Sequence, residues 1–167
     1  MVPRALGSRN HGGSTVTFMS DAPQDLTSLP VEYLGTFSAN TKGVAPVAVA
    51  GPSGTRLTVT VTGGTFVGPK IKGALVDGAA GGDWPLVRAD GTLVLDVRAN
   101  VRTDDGADIY ITYCGIGVPG ADGSYSIRTA PLFQTGDERY AWLNNVQAVG
   151  IGRTTDAGVE YDIYAVQ

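Results

Sequence analysis

The chain has 167 residues, of which 43% are hydrophobic and 17% are charged, and its formal net charge is −4. This composition is typical of one folded domain with a sizeable core, and it excludes a disordered chain. The negative charge argues against a nucleic-acid-binding protein, which needs a basic face. Because no apolar run approaches the roughly 18 residues of a membrane-spanning helix, we expect no membrane partner.

The chain has one cysteine, Cys114, and one histidine, His11. A single cysteine excludes an intramolecular disulfide framework and a zinc site built from a cysteine cluster. A Ser-His-Asp triad or a histidine-rich metal site is not expected either, because His11 lies in a segment without strand or helix signals. The sequence therefore predicts no metal site, and it predicts that any catalysis depends on other groups.

Residues 1–28 are predicted to lie outside the folded domain. Residues 1–18 have no sustained hydrophobic period and are rich in Gly, Ser and Arg. The letters "VPR" followed by "GS" are typical of a protease-site linker, and Met19 is an alternative natural start. The segment lacks the apolar core of about 7–15 residues that a secretory signal has. We expect a flexible extension over 1–28, one domain over 29–167, and a cytoplasmic protein, with secretion as the alternative.

Strand signals begin at "VEYLGTFSA" and continue in "RLTVTVTGGTF", where apolar residues and threonines alternate. "TLVLDVRANVRTDDG" alternates over a longer stretch, and its Asp-Asp-Gly turn leads into "ADIYITYCG" as in a β-hairpin. "RYAWLNNVQAVGIG" and "VEYDIYAVQ" are predicted to form a closing hairpin. "TGDERYAWLNN" is the best candidate for a helical turn, with Thr135 as its cap.

These strand signals recur about every 10 to 14 residues, with Gly, Asp and Pro between them, which is typical of a β-sandwich or an antiparallel barrel. Closure removes exposed strand edges and favours the barrel. We therefore predict an all-β fold, a single closed antiparallel β-barrel of roughly eight to ten strands with room for a ligand cavity. Alternation alone leaves open which face of each strand points inward.

The stretch "GAAGGDWPLVRADGT", Gly78 to Thr92, contains a glycine cluster. It lacks the Gly-Lys-Ser/Thr ending of a Walker loop, and no helix follows as in a dinucleotide fingerprint. The pattern favours a tight strand connection in which glycine supplies a positive φ. Within it, Asp83 either fixes the turn or faces a lumen, and Trp84 either anchors apolar packing or forms part of a ligand site.

Charged residues on the predicted strands have two interpretations. Glu160 and Asp162 share one face of the last strand. If this face lines a cavity, burial and their like charges raise the carboxyl pKa values, and the acids can donate and accept protons near neutral pH. If the face points outward, they are solvated acids. Arg98 shares a face with Asp96, where it either stabilises a developing oxyanion in a lumen or forms a surface pair. Tyr110 is one of several strand aromatics that either stack on a flat ligand or pack in the core.

Several stretches resemble domain-of-unknown-function family 3237. "GGDWPLVRADGTLVLDVRANVRTDDGADIYITYCG" and "TGDERYAWLNNVQAVGIGR" are similar to its two signatures, and "PVEYLGTF" and "VEYDIYAV" also fit. The resemblance covers roughly Leu29 to Gln167. It implies a small antiparallel β-barrel that forms a homo-oligomer, with trimers known in the family.

The family includes the pyocyanin demethylase, which acts without a cofactor on a flat phenazine inside its barrel and uses acidic residues to favour a tautomer. By this resemblance its acid on the last strand falls on Glu160, with Asp162 two positions on. A second acid falls near Asp77 or Asp83. The demethylase also relies on a histidine, which the domain lacks here, so the resemblance implies a cavity for a flat molecule more strongly than it implies demethylation.

Residues and resemblance together predict a cofactor-independent enzyme that uses carboxylate acid/base chemistry on a flat aromatic or polyketide-like substrate. Tautomerisation, cyclisation, dehydration and demethylation all suit such a site. The alternatives are a non-catalytic carrier of an aromatic metabolite and a structural oligomer with a filled barrel. The predicted catalytic residues are Glu160 as general acid/base, Asp77 or Asp83 as its partner, and Arg98 as electrostatic stabiliser. The predicted substrate contacts are Trp84, Tyr110 and Asp162.

Overall fold

Twelve β-strands and one 3-10 helix follow each other along residues 28–167, the part of the chain that this computed structural model describes. The predicted extension, including His11, lies outside the described residues up to position 27. Within the described part, no helix has the length and apolar character needed to cross a bilayer. The strands are β1 (Val31–Asn40), β2 (Val47–Gly51), β3 (Gly54–Val61), β4 (Gly63–Val67), β5 (Lys72–Leu75), β6 (Gly81–Asp83), β7 (Leu86–Val87), β8 (Leu93–Thr103), β9 (Asp108–Pro119), β10 (Tyr125–Gln134), β11 (Ala148–Thr154) and β12 (Gly158–Val166).

Eight of these strands close into an antiparallel barrel in the order β8-β5-β4-β1-β12-β11-β10-β9, and β9 pairs back onto β8. The β8–β9 pairing is long and runs from Leu93 opposite Gly117 to Arg102 opposite Asp108. Closure leaves no free edge in this ring, which is how a small all-β protein avoids edge-to-edge association. The predicted closed antiparallel barrel is confirmed.

The other four strands extend one side of the barrel. β5 pairs with the last residues of β8, whereas β6 and β7 pair with its first half. β3 pairs with both β6 and β7, and β2 pairs with β3. The wall at the start of β8 is therefore built by short strands and by a β2–β3 hairpin, and this part of the wall encloses the candidate site described below.

The 3-10 helix, Glu138–Asn145, joins β10 to β11 and closes the end of the barrel that lies away from the start of β8. Leu143 of this helix is fully buried beneath the barrel end. The predicted helical turn is present, but its N-cap is Asp137, whose side chain accepts the Arg139 N–H at 3.0 Å. Thr135 instead donates to the Asp108 carbonyl oxygen at 2.7 Å. The strand predicted from Arg139 onward begins only at Ala148, because the helix occupies the preceding residues.

Two of the sequence motifs that resemble the family signatures meet at this closed end. Asp105, in the turn between β8 and β9, accepts hydrogen bonds from Thr103 at 2.6 Å and from the Tyr140 hydroxyl at 3.0 Å. Arg139 forms an ion pair with the same carboxylate at 2.8 Å. The Thr103 hydroxyl, followed by the Tyr140 hydroxyl and the Arg139 charge, lowers the pKa of Asp105 below its usual range. The Arg-Thr-Asp-Asp-Gly and Tyr-Ala-Trp-Leu-Asn motifs therefore attach the helix to the barrel.

Candidate active site

A cavity of about 160 Å³ opens at the end of the barrel opposite the 3-10 helix. Thr41, just after β1, and Thr154, at the end of β11, lie among the residues that line it. Most of its wall is formed by inward-facing apolar side chains. They include Leu57, Val59, Val61, Leu93, Leu95 and Val97.

Aromatic rings form the floor of this cavity. Tyr113 of β9 and Tyr161 of β12 meet edge to face, with ring centroids 5.5 Å apart. Phe37 stacks on Tyr161 at 6.2 Å and contacts Tyr113 edge-on at 6.5 Å. A Cβ at Gly152 would overlap the Tyr161 ring, so the glycine allows this ring to lie against β11. The two phenols are thereby held at the inner end of the cavity.

Asp83 is the one carboxylate among the described residues that line the cavity. It ends β6, between Val59 of β3 and Val97 of β8. The Asp96 N–H donates to its Oδ1 at 3.1 Å, which fixes one oxygen of the carboxyl group. The preceding glycines supply backbone geometry, as the sequence predicts, since Gly78 has φ 71° and Gly81 has φ 132°.

The cavity changes the protonation of this carboxyl. Burial, reinforced by the nearby negative charge of Asp96, raises the pKa of Asp83 to about 6, although backbone hydrogen bonds oppose the shift. Asp83 therefore exists in both its protonated and ionised forms close to neutral pH. A carboxyl of this kind is able to donate a proton and to take one back at modest cost.

The two phenols remain protonated. Burial raises the pKa of Tyr113 well above its usual value, and the neighbouring Tyr161 adds to this shift. Burial likewise raises the pKa of Tyr161 to about 12. Both hydroxyls therefore keep their protons at neutral pH and are not bases, and a hydrogen bond between them raises the pKa of Tyr113 and lowers that of Tyr161. The site combines one titrating carboxyl with two neutral phenols in otherwise apolar surroundings.

Glu160 and Asp162 are placed on the outer surface of the barrel. The residues between and beside them, Tyr161 and Ile163, take the inward positions of β12. Arg153 forms ion pairs with both acids, and Thr36 donates to Asp162 Oδ1 at 2.9 Å. The structure thus does not bring Glu160 and Asp83 together in one cavity, because the large apolar and aromatic side chains of β12 occupy the lumen.

The other predicted site residues also lie outside the cavity. Asp77 is exposed in the turn between β5 and β6. Arg98 points outward, where it pairs with Asp96 at 2.9 Å and lies over the Trp84 ring at 5.3 Å. Tyr110 lines a surface groove on the outer face of β9. Within residues 28–167, no group of three or more His, Cys, Asp or Glu side chains is placed to hold a metal ion.

The sequence offers Tyr113 only as one of several strand aromatics that either stack on a flat ligand or pack in the core, and it does not single out Tyr161. Each tyrosine is an even number of residues away from a buried aliphatic residue of the same strand. Tyr113 is in step with Ile109 and Ile111, and Tyr161 is in step with Ile163. Strand residues two apart lie on the same face. Assigning the aliphatic face of each strand to the interior would therefore have placed both phenols in the lumen.

Solved structures share this fold. A β-barrel-like protein from Acinetobacter baumannii is 28% identical, with a TM-score of 0.76 over 86% of this chain and 99% of its own. The structure of an enzyme from Penicillium herquei is 27% identical, with a TM-score of 0.65 over 97% of this chain and 100% of its own.

The sequence comparisons agree with the structural ones. The hydroalkoxylation enzyme phnH of Penicillium herquei is 36% identical over 121 residues, which is 72% of each chain. The family model described as "Protein of unknown function (DUF3237)" matches residues 30–166, which include every strand described above. This chain therefore belongs to the DUF3237 family of proteins of unknown function.

Proposed function

We propose that this protein is a cofactor-independent enzyme that performs acid/base chemistry on a small neutral molecule, with Asp83 as the group that transfers protons. The observation that carries the proposal is the single Asp83 carboxyl, with its pKa raised to about 6, that lines an apolar cavity together with two phenols. A proton-transferring group is most effective when its pKa lies near the working pH. The enzyme among the sequence relatives supports a catalytic function.

The reaction we favour is the one named for that relative, a hydroalkoxylation. This reaction adds an O–H bond across a C=C bond, so that a C–O and a C–H bond form while the O–H bond and the π bond break. No electrons are gained or lost overall. The chemical requirement is a group that gives a proton to carbon and accepts one from oxygen.

Asp83 meets this requirement within one catalytic cycle. In its protonated form it donates a proton to an alkene carbon, which leaves positive charge on the adjacent carbon. The substrate hydroxyl oxygen attacks this carbon, and the ionised Asp83 then takes the hydroxyl proton and returns to its starting form. Tyr113 and Tyr161 hydrogen-bond the substrate oxygen and orient it during the attack.

Cavity size and charge narrow the substrate class. An apolar cavity of about 150 Å³ is sufficient for benzene, so the 160 Å³ here accommodates a single six-membered ring. A tricyclic or larger polyketide-like skeleton would extend through the mouth. No Lys or Arg occurs among the described residues that line the cavity, which favours a neutral substrate over a carboxylate or phosphate. A phenol or enol that carries an alkenyl substituent has the required groups.

The experiment is an assay of ring closure with ortho-prenylphenol, whose product is a dimethylchroman, followed by chromatography and mass spectrometry. Because the reacting form of Asp83 is protonated, kcat/KM should be constant at low pH and fall about tenfold per pH unit above about pH 6. Buffer without protein measures the uncatalysed rate. If a series of alkenyl phenols binds saturably and none is converted, the carrier alternative replaces the enzyme.

A further inference from the structure

Tyr113 separates two spaces inside the barrel. Its ring lines the candidate substrate cavity and also a second void of about 10 Å³ on the side toward the closed end. Among the described residues, Tyr113 is the one that lines both. The side chain itself is buried, and its strand β9 is paired on both sides, with β8 and β10, so it acts as a fixed partition in the lumen.

The layer beneath this partition is apolar and incompletely packed. Its void is bordered by Phe37, Phe66 and Phe133, three large side chains of the core. The void below Tyr113 is thus lined by apolar side chains. The Thr129 hydroxyl, which has no hydrogen-bond partner among the described residues, does not border it.

We propose that Tyr113 determines the substrate specificity of the enzyme by setting the depth of its pocket. With the Tyr113 ring in place, one six-membered ring reaches the aromatic floor and a second fused ring does not. The proposal rests on the proposed function only in taking this cavity as the substrate site. It assigns the substrate class as monocyclic at the buried end, with larger parts of the molecule directed toward the mouth.

Tyr161 does not have the same effect, although it also forms the floor. It lines the upper cavity, and its ring lies along β11 against Gly152. Shortening Tyr161 would widen the cavity sideways. Among the described residues, Tyr113 is the one ring that borders both the cavity and the void, so shortening it joins the two spaces and deepens the pocket.

The test compares phenol and naphthol binding to the full chain by isothermal titration calorimetry. In the wild type the second ring of naphthol extends toward the mouth, and Tyr113→Phe, which keeps the partition, should have the wild-type ratio of naphthol to phenol affinity. Tyr113→Leu should bind naphthol at least tenfold more tightly than the wild type does. Leucine preserves a buried apolar side chain at this position, and circular dichroism establishes that the variant is folded.

Phe133→Leu is the matched control, because it enlarges the lower void while the partition remains. It should leave the wild-type ratio of naphthol to phenol affinity unchanged. The proposal is overturned if Tyr113→Leu keeps the wild-type ratio of naphthol to phenol affinity, or if Phe133→Leu gains naphthol affinity to the same extent. These measurements need no turnover, so their failure is distinguishable from failure of Asp83 as the catalytic acid, which leaves binding intact.

Discussion

Replacement of Asp83 by Asn is expected to lower kcat for ring closure by about 10²–10⁴-fold, the usual contribution of a general acid/base group. The asparagine has nearly the same size, and its carbonyl oxygen can still accept the Asp96 N–H that now reaches Asp83 Oδ1 at 3.1 Å. What the variant loses is the exchangeable proton. The measurement is the rate of dimethylchroman formation from ortho-prenylphenol at pH 6, with phenol affinity determined in parallel.

Glu160→Gln is the matched control for this variant. Glu160 lies on the outer surface in an ion pair with Arg153, away from the cavity, so its loss should leave kcat within about twofold of the wild type. Phenol affinity should be nearly unchanged in both variants. An Asp83→Asn variant that keeps the wild-type rate, or a Glu160→Gln variant that loses it, would contradict the assignment of the catalytic acid.

Gly81→Ala is expected to destabilise the protein by at least about 2 kcal/mol, as measured by urea unfolding. Gly81 has φ 132°, which an alanine rarely adopts, and its new Cβ would overlap the Arg98 carbonyl oxygen of the paired strand β8. The added Cβ is fixed to the backbone of β6 and the oxygen belongs to the backbone of β8, so neither atom can move alone. The strand β6 therefore has to move away from β8. Asp83 is two residues further along β6, so catalytic activity should fall together with stability.

The control for this effect is Gly136→Ala. Gly136 has an ordinary φ, and no other atom lies within 4 Å of an added Cβ. Its free energy of unfolding should change by less than about 0.5 kcal/mol, as expected for a surface substitution without a structural role. Equal stabilities of the two variants would show that the close pairing of β6 with β8 is not required.

The long strands and the barrel class were predictable because alternation is a local property of the sequence. In β8 the apolar residues Leu95, Val97 and Val101 are buried, and Arg98 and Arg102 are exposed, as the period of two indicates. The turn at Asp104 to Gly106 followed from its residue types in the same way. The barrel is closed by pairing of β8 with β9, two of the longest strands, and both have this regular alternation.

The site was less predictable, for two physical reasons. On β12 alternation leaves both faces open and the family resemblance favours Glu160 as the catalytic acid, although Tyr161 and Ile163 offer more apolar surface to the interior. On β6 there is no alternation to interpret, because the strand spans only Gly81 to Asp83. The direction of Asp83 is set by pairing with β3 and β8, which are distant in sequence, and this long-range register is not encoded in the local pattern.

Titration of the Asp83 carboxyl ¹³C resonance by nuclear magnetic resonance establishes whether this group lies in an apolar cavity that a ligand reaches. The Asp83→Asn variant identifies the resonance by its absence. We predict a titration midpoint at about pH 6 in the free protein and a higher midpoint with phenol bound, because the ligand removes the remaining water. A midpoint near the ordinary value of 3.8 that phenol does not change would show that Asp83 is solvated and lies away from the ligand.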